Sequence, residues 1–185
     1  MICWPKRFLY KFSPYFSLQN DLLQFVSVYK YLGVLITHQM SDDDEMVQRM
    51  RIIYSTGNMI VRKFSKCSIS CKLLMFQTFL SQVYGCALWA TYKVASYKKV
   101  KVSHNDIFRS LLNVPRYESA SSLFTANNVR NLDSVIRTCQ YSLMCRVSGS
   151  SNSIVRALVT SSARVVSCTW HRWSVSLGRD LVDSF

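Results

Sequence analysis

The sequence predicts a mainly α-helical protein with a small β element near its N-terminal end. Of the 185 residues, 49% are hydrophobic and 18% are charged, a balance typical of a chain that folds around a core. Only five glycines and three prolines occur, too few for an all-β fold joined by tight turns. Apolar residues recur at helical spacing from about residue 41 to residue 160. We therefore expect a β-hairpin or small sheet, then an antiparallel helical bundle, then a disordered C-terminal tail.

Aromatic and β-branched residues dominate residues 1–40, which favours strands. Three segments are predicted to be extended: Phe8–Phe12, Tyr15–Leu18 and Phe25–Ile36. Pro14 and the pair Asn20-Asp21 are turn signals between them. Gly33 stands inside the last apolar run, which suggests a β-bulge or a close approach of backbones.

The first helix is predicted to begin at Ser41, a good N-cap residue. Its first turn holds four acidic residues, 42–45, where carboxylates interact favourably with the helix dipole. One apolar stripe follows at helical spacing: Met46, Met50, Ile53, Tyr54, Gly57, Ile60, Val61 and Phe64. This is the clearest amphipathic helix in the sequence.

A second helix is predicted from Ser68 or Ser70 to about Thr91. It contains an uncharged run, Leu73–Tyr92, that is long enough to cross a bilayer. Five polar residues inside the run make a poor lipid-facing helix. The pattern therefore favours a central helix buried on all sides over a membrane span.

The remaining helices are predicted over 96–113, 121–127, 132–147 and 154–159, with Pro115 as a stop signal and Gly149 as a C-cap. The core face of the 96–113 helix is predicted from its spacing to hold Tyr97, Val100, His104, Ile107, Phe108 and Leu111. Periodicity fades after residue 160, so we expect residues 161–185 to be a poorly ordered tail.

A net charge of +13 favours a polyanionic partner, most often nucleic acid and less often an anionic membrane surface. Residues 66–118 hold eight basic and two acidic residues, a net of +6, and are the expected location of phosphate contacts. Lys98, Lys101, Asn105 and Arg109 would share one helix face, with Lys99 beside it. A second basic group surrounds the first helix–helix connection: Arg62, Lys63, Lys66 and Lys72. A solvated helix face explains either group equally well.

No constellation typical of an enzyme occurs in the sequence. Consecutive carboxylates at 42–45 point in different directions around a helix, which disfavours a metal site. Cys67, Cys71, Cys168 and His171 lack the close pairs typical of zinc ligands. Seven cysteines without such pairs indicate a reducing compartment without disulfides. Residues 1–7 do not form a secretory signal, so we expect an intracellular protein, nuclear or cytoplasmic, with no cofactor.

Residues 28–37, with the triplet Tyr31-Leu32-Gly33, resemble the segment that follows the catalytic core in LINE-type (non-long-terminal-repeat) retrotransposon reverse transcriptases. The strand before it, Cys3-Trp4-Pro5-Lys6-Arg7, is similar to the family's C-M-x-F-x-P-x-R strand. Similarity continues through the acidic helix start, Arg62-Lys63-Phe64, Leu88-Trp89, Phe108-Arg109 and Leu112-x-x-Pro115-Arg116. The resemblance covers roughly residues 1–160.

This resemblance implies three regions: residues 1–40 as the end of the palm, residues 41–160 as a thumb-like bundle, and the tail. It assigns Tyr31, Leu32 and Gly33 to a primer-grip remnant. The catalytic Tyr-x-Asp-Asp motif does not occur in the sequence, and the resemblance places it before Met1. It therefore implies a fragment of an RNA-directed DNA polymerase that does not polymerise alone, whereas the intact enzyme would use Mg²⁺.

Two functions follow as expectations. The first is non-specific binding to the backbone of an RNA–DNA or DNA duplex through Lys98, Lys99, Lys101 and Arg109, with Arg62 and Lys63. The second is a catalytically inert helical module that binds protein partners through an exposed apolar face. A membrane protein spanning at Leu73–Tyr92 is the third and disfavoured alternative.

Overall fold

The computed structural model describes residues 17–19, 21–23, 26–81 and 83–160. Two antiparallel strand pairs come first: β1 (Ser17–Leu18) with β2 (Asp21–Leu22), and β3 (Val28–Tyr31) with β4 (Val34–Thr37). The helices that follow are α1 (Asp43–Lys63), α2 (Ile69–Phe79), α3 (Val94–Leu112), α4 (Ala120–Ala126), α5 (Leu132–Ser148) and α6 (Ser153–Thr160). The prediction of a mainly α-helical chain with a small N-terminal β element is confirmed. The predicted strand Phe8–Phe12 and the predicted tail lie outside the described residues.

The hairpin of β3 and β4 corrects the prediction of one strand over Phe25–Ile36. Its register pairs Val28 with Thr37 and Tyr31 with Val34, which leaves Leu32 and Gly33 as a two-residue turn. Both turn residues have positive φ, +46° and +83°, as in the type I′ turns that match the twist of paired strands. Gly33 therefore lies in a turn, and the predicted β-bulge is wrong.

Helix α1 begins one residue later than predicted, with Asp42 and not Ser41 at the N-cap position. The Ser41 hydroxyl still accepts a hydrogen bond from the Asp43 amide, at 3.3 Å. The predicted apolar stripe is confirmed, since Met46, Ile53, Gly57 and Ile60 are buried and the other members are partly buried. The stripe faces α3, the helix with which α1 makes its most extensive contact.

Helix α2 ends at Phe79, so the predicted helix from about residue 68 to Thr91 is wrong in its second half. The Ser81 amide donates to the Phe76 carbonyl, and Gly85 takes a left-handed φ of +80°, which reverses the chain. A short 3₁₀ helix, Cys86–Leu88, follows. Apolar residues of this segment enter the core from a loop: Val83, Cys86, Trp89 and Ala90.

The expectation that α2 is buried on all sides is also wrong. Only Phe76 of this helix is fully buried, while Leu74 and Phe79 are exposed. The uncharged run Leu73–Tyr92 therefore forms the end of a half-exposed helix and the buried loop that follows it. Among the described residues, no helix combines the length and the apolar character that crossing a membrane requires.

Helices α3, α4, α5 and α6 agree with the predicted segments to within about two residues. Helix α3 ends at Leu112, and its C-cap residue Asn113 takes a left-handed conformation two residues before Pro115. Ser119 and Asn131 cap α4 and α5 by accepting backbone N–H bonds. Gly149 occupies the C-cap position of α5, as predicted, although its φ is negative. The core that joins these helices is rich in aromatic rings, which include Phe76, Trp89, Phe108 and Phe124.

The contact between α1 and α3 depends on Gly57, and replacing it with alanine tests that contact. A Cβ at position 57 would lie 2.5 Å from Cγ2 of Ile107, so the two helices must move apart or Ile107 must change rotamer. We expect a net loss of about 1–3 kcal/mol in the free energy of unfolding, although alanine favours a helix by about 1 kcal/mol. Chemical denaturation measures this loss.

Ser55→Ala, at an exposed position of the same helix, is the control and should change stability little. Ile107→Val in the Gly57→Ala background should restore part of the loss by removing a methyl group from the contact. A Gly57→Ala protein as stable as the unmodified chain would contradict this account of the helix packing.

Candidate nucleic-acid interface

Helix α3 presents Lys98 and Lys99 to solvent. Neither lysine forms an ion pair with a described residue. Both lie in the first half of α3, where the chain crosses close to the start of α5. Their ammonium groups are therefore available to an external anion.

Lys101, one turn further along α3, contacts Asp133 of α5 at 2.6 Å. The Tyr97 hydroxyl donates to the same carboxylate. Burial opposes ionisation of Asp133, but the hydrogen bonds from Lys101 and Tyr97 and the charge of Arg137 lower its pKa below the usual value. Burial and the bond to Asp133 raise the pKa of Tyr97. The predicted phosphate ligand Lys101 thus also joins α3 to α5.

Arg109 belongs to an internal network. Its Nη1 lies 3.2 Å from Oδ1 of Asp106, and its Nε donates to the Glu118 carbonyl at 2.9 Å. Arg116 contacts the other oxygen of Asp106 at 2.6 Å. This network connects the end of α3 to the turn that precedes α4. Arg109, which was predicted to share a helix face with Lys98 and Lys101, is thus engaged by described residues, whereas Lys98 forms no ion pair with them.

The second predicted basic group lies at the C-terminal end of α1. Arg62 and Lys63 are exposed in its last turn, where cations also favour the helix dipole. Lys66 is exposed in the connection to α2, and Lys72 is partly buried. Lys93 contacts Asp43 and Ile107 contacts Gly57, so α1 and α3 run parallel. This group therefore lies toward the end of α3, away from Lys98 and Lys99.

The hairpin tip contains the predicted primer-grip residues. Tyr31 is 56% exposed and Leu32 is 72% exposed. Beside them lies an apolar groove of about 340 Å³ between the hairpin and the loop after α2. Its lining includes Tyr31, Leu32, Val34, Ile36, Met40, Tyr84 and Leu88. The tip is thus a non-polar surface that is open to a ligand or to another protein.

A buried ion pair that sequence reasoning missed holds this tip in place. Glu45 is 1% exposed and Arg49 is 9% exposed, and they pair one turn apart on α1. Glu45 accepts from the Leu35 amide at 2.9 Å, while Arg49 donates to the Gly33 carbonyl at 2.7 Å. The Arg49 guanidinium also lies 5.4 Å from the centre of the Tyr84 ring. The i, i+4 spacing of the pair was the available signal.

The acidic run 42–45 binds backbone amides. Asp42 accepts from the Ala90 and Thr91 amides, each at 2.8 Å, and Asp43 accepts from the Lys93 amide at 2.9 Å. Burial raises the pKa of Asp42, despite the two amide bonds that oppose the rise. Burial also disfavours the Asp43 anion, but bonds from Ser96, Lys93 and Ser41 outweigh it and lower the pKa of Asp43. The carboxylates of Asp42 and Asp43 are thus bound to backbone amides, whereas a Mg²⁺ site needs carboxylate oxygens that are free to bind the ion.

Other candidate ligands remain dispersed. No group of three or more His, Cys, Asp or Glu side chains in the described ranges could hold a metal ion. Burial raises the pKa of Cys71, and the nearby Cys67 thiol raises it further. Cys168 and His171, the other two zinc candidates, lie outside the described residues.

His104 lies in the aromatic core, as its position on the apolar face of α3 predicts. Its ring stacks on Phe124 at 5.5 Å and meets the edge of Phe76 at 4.9 Å. Neither ring nitrogen has a hydrogen-bond partner among the described residues. Burial lowers the pKa of His104 to about 4, with a small opposing effect from Asp133. This histidine is therefore a neutral core residue and is not placed to act as a base.

Comparison of the chain with protein-family models, with curated protein sequences and with solved structures finds no match. The resemblance of residues 28–37 to reverse transcriptases therefore stays a prediction from the sequence. Functional inference depends on the geometry of the described residues.

The ion pair between Glu45 and Arg49 can be tested with Arg49→Met. This change leaves a buried carboxylate without its cation, so we expect a loss of about 3–5 kcal/mol in the free energy of unfolding. The double variant Glu45→Gln/Arg49→Met should recover part of that loss, because no uncompensated charge then remains buried. A double-mutant cycle from urea denaturation measures the coupling. Additive effects of the two changes would contradict the pairing.

The lowered pKa of buried His104 predicts that the stability of the folded chain depends on pH. The unfolded chain takes up a proton below a pKa of about 6.5, whereas folded His104 does so only near a pKa of about 4. Stability should therefore fall as pH decreases through this window, by up to about 3 kcal/mol. His104→Phe should remove this contribution, and denaturation at several pH values measures the difference.

His38→Gln, at a partly exposed histidine outside the aromatic core, is the matched control. It removes a histidine outside the aromatic core, so comparison of the two variants separates the effect of His104 from that of losing any histidine. If His104→Phe and the unmodified chain lose stability in parallel on acidification, the neutral core assignment of His104 is wrong.

Proposed function

We propose that the chain is the post-catalytic segment of a LINE-type RNA-directed DNA polymerase and binds the backbone of an RNA–DNA or DNA duplex without reading sequence. The single observation that supports binding most directly is the pair of exposed lysines, Lys98 and Lys99, on a helix of a chain with net charge +13. Lysine ammonium groups contact phosphate oxygens as point charges and do not distinguish bases. The proposal assigns no polymerisation step to these residues.

The lysines form part of a wider cationic area that we call the α3–α5 basic surface, defined by Lys98, Lys99, Lys101 and Arg137. Arg137 is exposed on α5, one helical turn after Asp133, and its charge lowers the pKa of that carboxylate. Asp133 joins the two helices through Lys101 and Tyr97, which keeps cations from both helices on one side of the molecule. Four cations and one carboxylate leave this surface strongly positive.

The hairpin tip supports the same proposal from a second direction. In the family that the sequence resembles, the Tyr-Leu-Gly segment belongs to the primer grip, next to the polymerase active site. Here Tyr31 and Leu32 are exposed, and the buried pair of Glu45 and Arg49 fixes the backbone that directly follows them, at Gly33 and Leu35. A rigid, exposed and largely apolar tip suits contact with sugar and base surfaces of a nucleic acid.

The apolar groove beside the hairpin favours a second candidate function. Its exposed members Leu32, Met40, Tyr84 and Leu88 are large side chains that water solvates poorly. A catalytically inert helical module that binds a protein through this groove is therefore the alternative. Such a module would not need the α3–α5 basic surface.

Charge reversal at Lys98 and Lys99 separates the two functions. The variant Lys98→Glu/Lys99→Glu should weaken binding to an RNA–DNA duplex by at least roughly tenfold and lower the salt slope by about 1 for each phosphate that is no longer neutralised. Fluorescence anisotropy over a series of salt concentrations measures both quantities. The control Lys30→Glu/Arg51→Glu makes the same change in net charge at exposed residues of β3 and α1.

Equal weakening by both pairs would indicate attraction by net charge alone and would remove the assigned surface. If Lys98→Glu/Lys99→Glu binds the duplex as well as the unmodified chain, the binding site lies elsewhere. Arg62 and Lys63 would then be the next pair whose charge is reversed. No binding of any duplex at low salt would overturn the nucleic-acid function and leave the protein-interaction module.

A further inference from the structure

A second cleft lies between α5 and the loop that follows α2. Its volume is about 460 Å³, and we call it the α5 cleft. The loop contributes Ser81 and residues 83–87, and the chain around α5 contributes six residues. These six are Arg130, Val135, Thr138, Cys139, Ser142 and Arg146. The short 3₁₀ helix of this loop, Cys86–Leu88, contacts α5, so the two walls of the cleft are held together.

The polar side chains of the cleft form a row along α5. Thr138, Ser142 and Arg146 are spaced four residues apart, so they share one face and rise by about 6 Å from each to the next. This rise is close to the distance between successive phosphates of an extended single strand. Asp133 and Arg137 lie on another face of α5, which separates the cleft from the α3–α5 basic surface.

The charge of the α5 cleft is purely positive. Arg130 and Arg146 both line it, and none of its described lining residues is acidic. Both arginines are exposed, and neither forms an ion pair with a described residue. Arg146 donates from Nε to the Ser142 carbonyl at 3.3 Å, a bond that directs its guanidinium along the helix. The terminal nitrogens of Arg146 have no described partner.

The floor of the cleft is apolar and includes an aromatic ring at its edge. Val83, Cys86 and Val135 are buried there, and Tyr84 is 56% exposed. The Arg49 guanidinium beside the Tyr84 ring restricts that ring. Apolar surface and an exposed aromatic ring are what unpaired bases stack against. The hydroxyl of Ser81, another lining residue, is buried without a described partner.

We propose that the α5 cleft binds a single strand of nucleic acid. Phosphates would lie along Arg130, Ser142 and Arg146, and bases would rest on the apolar floor and the Tyr84 ring. This goes beyond the duplex-binding function, because it uses different residues and a different form of nucleic acid. It does not depend on the family resemblance.

The dimensions favour a strand over other anions. Arg146 lies 14 residues after Leu132, the first residue of α5, which is a rise of about 21 Å, and Arg130 lies two residues before that helix. A mononucleotide or inorganic phosphate reaches only one of these arginines. A duplex keeps its bases stacked inside and cannot place them on the apolar floor. An unpaired strand of a few nucleotides satisfies both arginines and the floor together.

The first test measures binding of single-stranded oligonucleotides of about 4 to 16 nucleotides to the full chain by fluorescence anisotropy. Arg130→Glu/Arg146→Glu should weaken single-strand binding by at least roughly tenfold and leave duplex binding nearly unchanged. Lys98→Glu/Lys99→Glu, with the same change in net charge, should show the opposite pattern. Ser142→Trp, which fills the cleft without changing charge, should also weaken single-strand binding. Near-ultraviolet circular dichroism checks that each variant is folded.

Cysteine alkylation supplies a second readout on the unmodified chain. Cys139 lines the cleft and is partly exposed, whereas Cys67 is exposed in the connection between α1 and α2. A saturating single strand should slow alkylation of Cys139 and leave that of Cys67 unchanged, as followed by mass spectrometry. Inorganic phosphate and a mononucleotide, used as separate probes, should protect Cys139 weakly or not at all.

The outcomes distinguish the two proposals. Duplex binding without protection of Cys139 by a single strand would overturn the α5 cleft and leave the duplex function. Protection of Cys139 by a single strand without duplex binding would overturn the duplex function and leave the α5 cleft. Equal protection of Cys139 by a mononucleotide would replace the strand with a small phosphorylated ligand. Failure of every nucleic acid to bind would overturn both.

Discussion

The buried ion pair of Glu45 and Arg49 is the interaction on which the arrangement of the N-terminal half depends. Through this pair, α1 holds the amide of Leu35 and the carbonyl of Gly33, and Arg49 also contacts the ring of Tyr84. A two-stranded hairpin is marginal in water by itself, so this attachment gives β3 and β4 their fixed position. Both the hairpin groove and the α5 cleft include Tyr84. One desolvated pair thus organises the surroundings of two candidate binding surfaces.

Local patterns were sufficient to predict the elements whose apolar residues repeat at helical spacing. The stripe from Met46 to Phe64 predicted α1, and Pro115 marked the end of α3. The region after Phe79 could not be predicted in this way. Lack of charge is equally compatible with a buried helix and with a loop that inserts Val83, Cys86 and Trp89 into the core. The loop is fixed by contacts that are remote in sequence, such as the bonds from Ala90 and Thr91 to Asp42.

The candidate sites show the same division between local and remote information. Exposure of Lys98 and Lys99 follows from the period of α3, which the sequence reveals. Engagement of Lys101 by Asp133 and of Arg109 by the Glu118 carbonyl depends on how α5 and α4 pack, which no local pattern encodes. The α5 cleft was missed because its walls come from separate segments. A row of Thr138, Ser142 and Arg146 was visible in the sequence, but its significance depends on the opposing loop.

The hydrogen bonds that Asp42 and Asp43 accept have a consequence for the order in which the chain can fold. Their amide donors, Ala90, Thr91 and Lys93, follow them by 48 to 50 residues. During synthesis, the first turn of α1 is therefore made long before its partners leave the ribosome. Until then two carboxylates stay solvated, and the hairpin docks on a helix whose N-terminal end is still unattached. The emerging N-terminal half consequently waits for the start of α3 before it can become fully native.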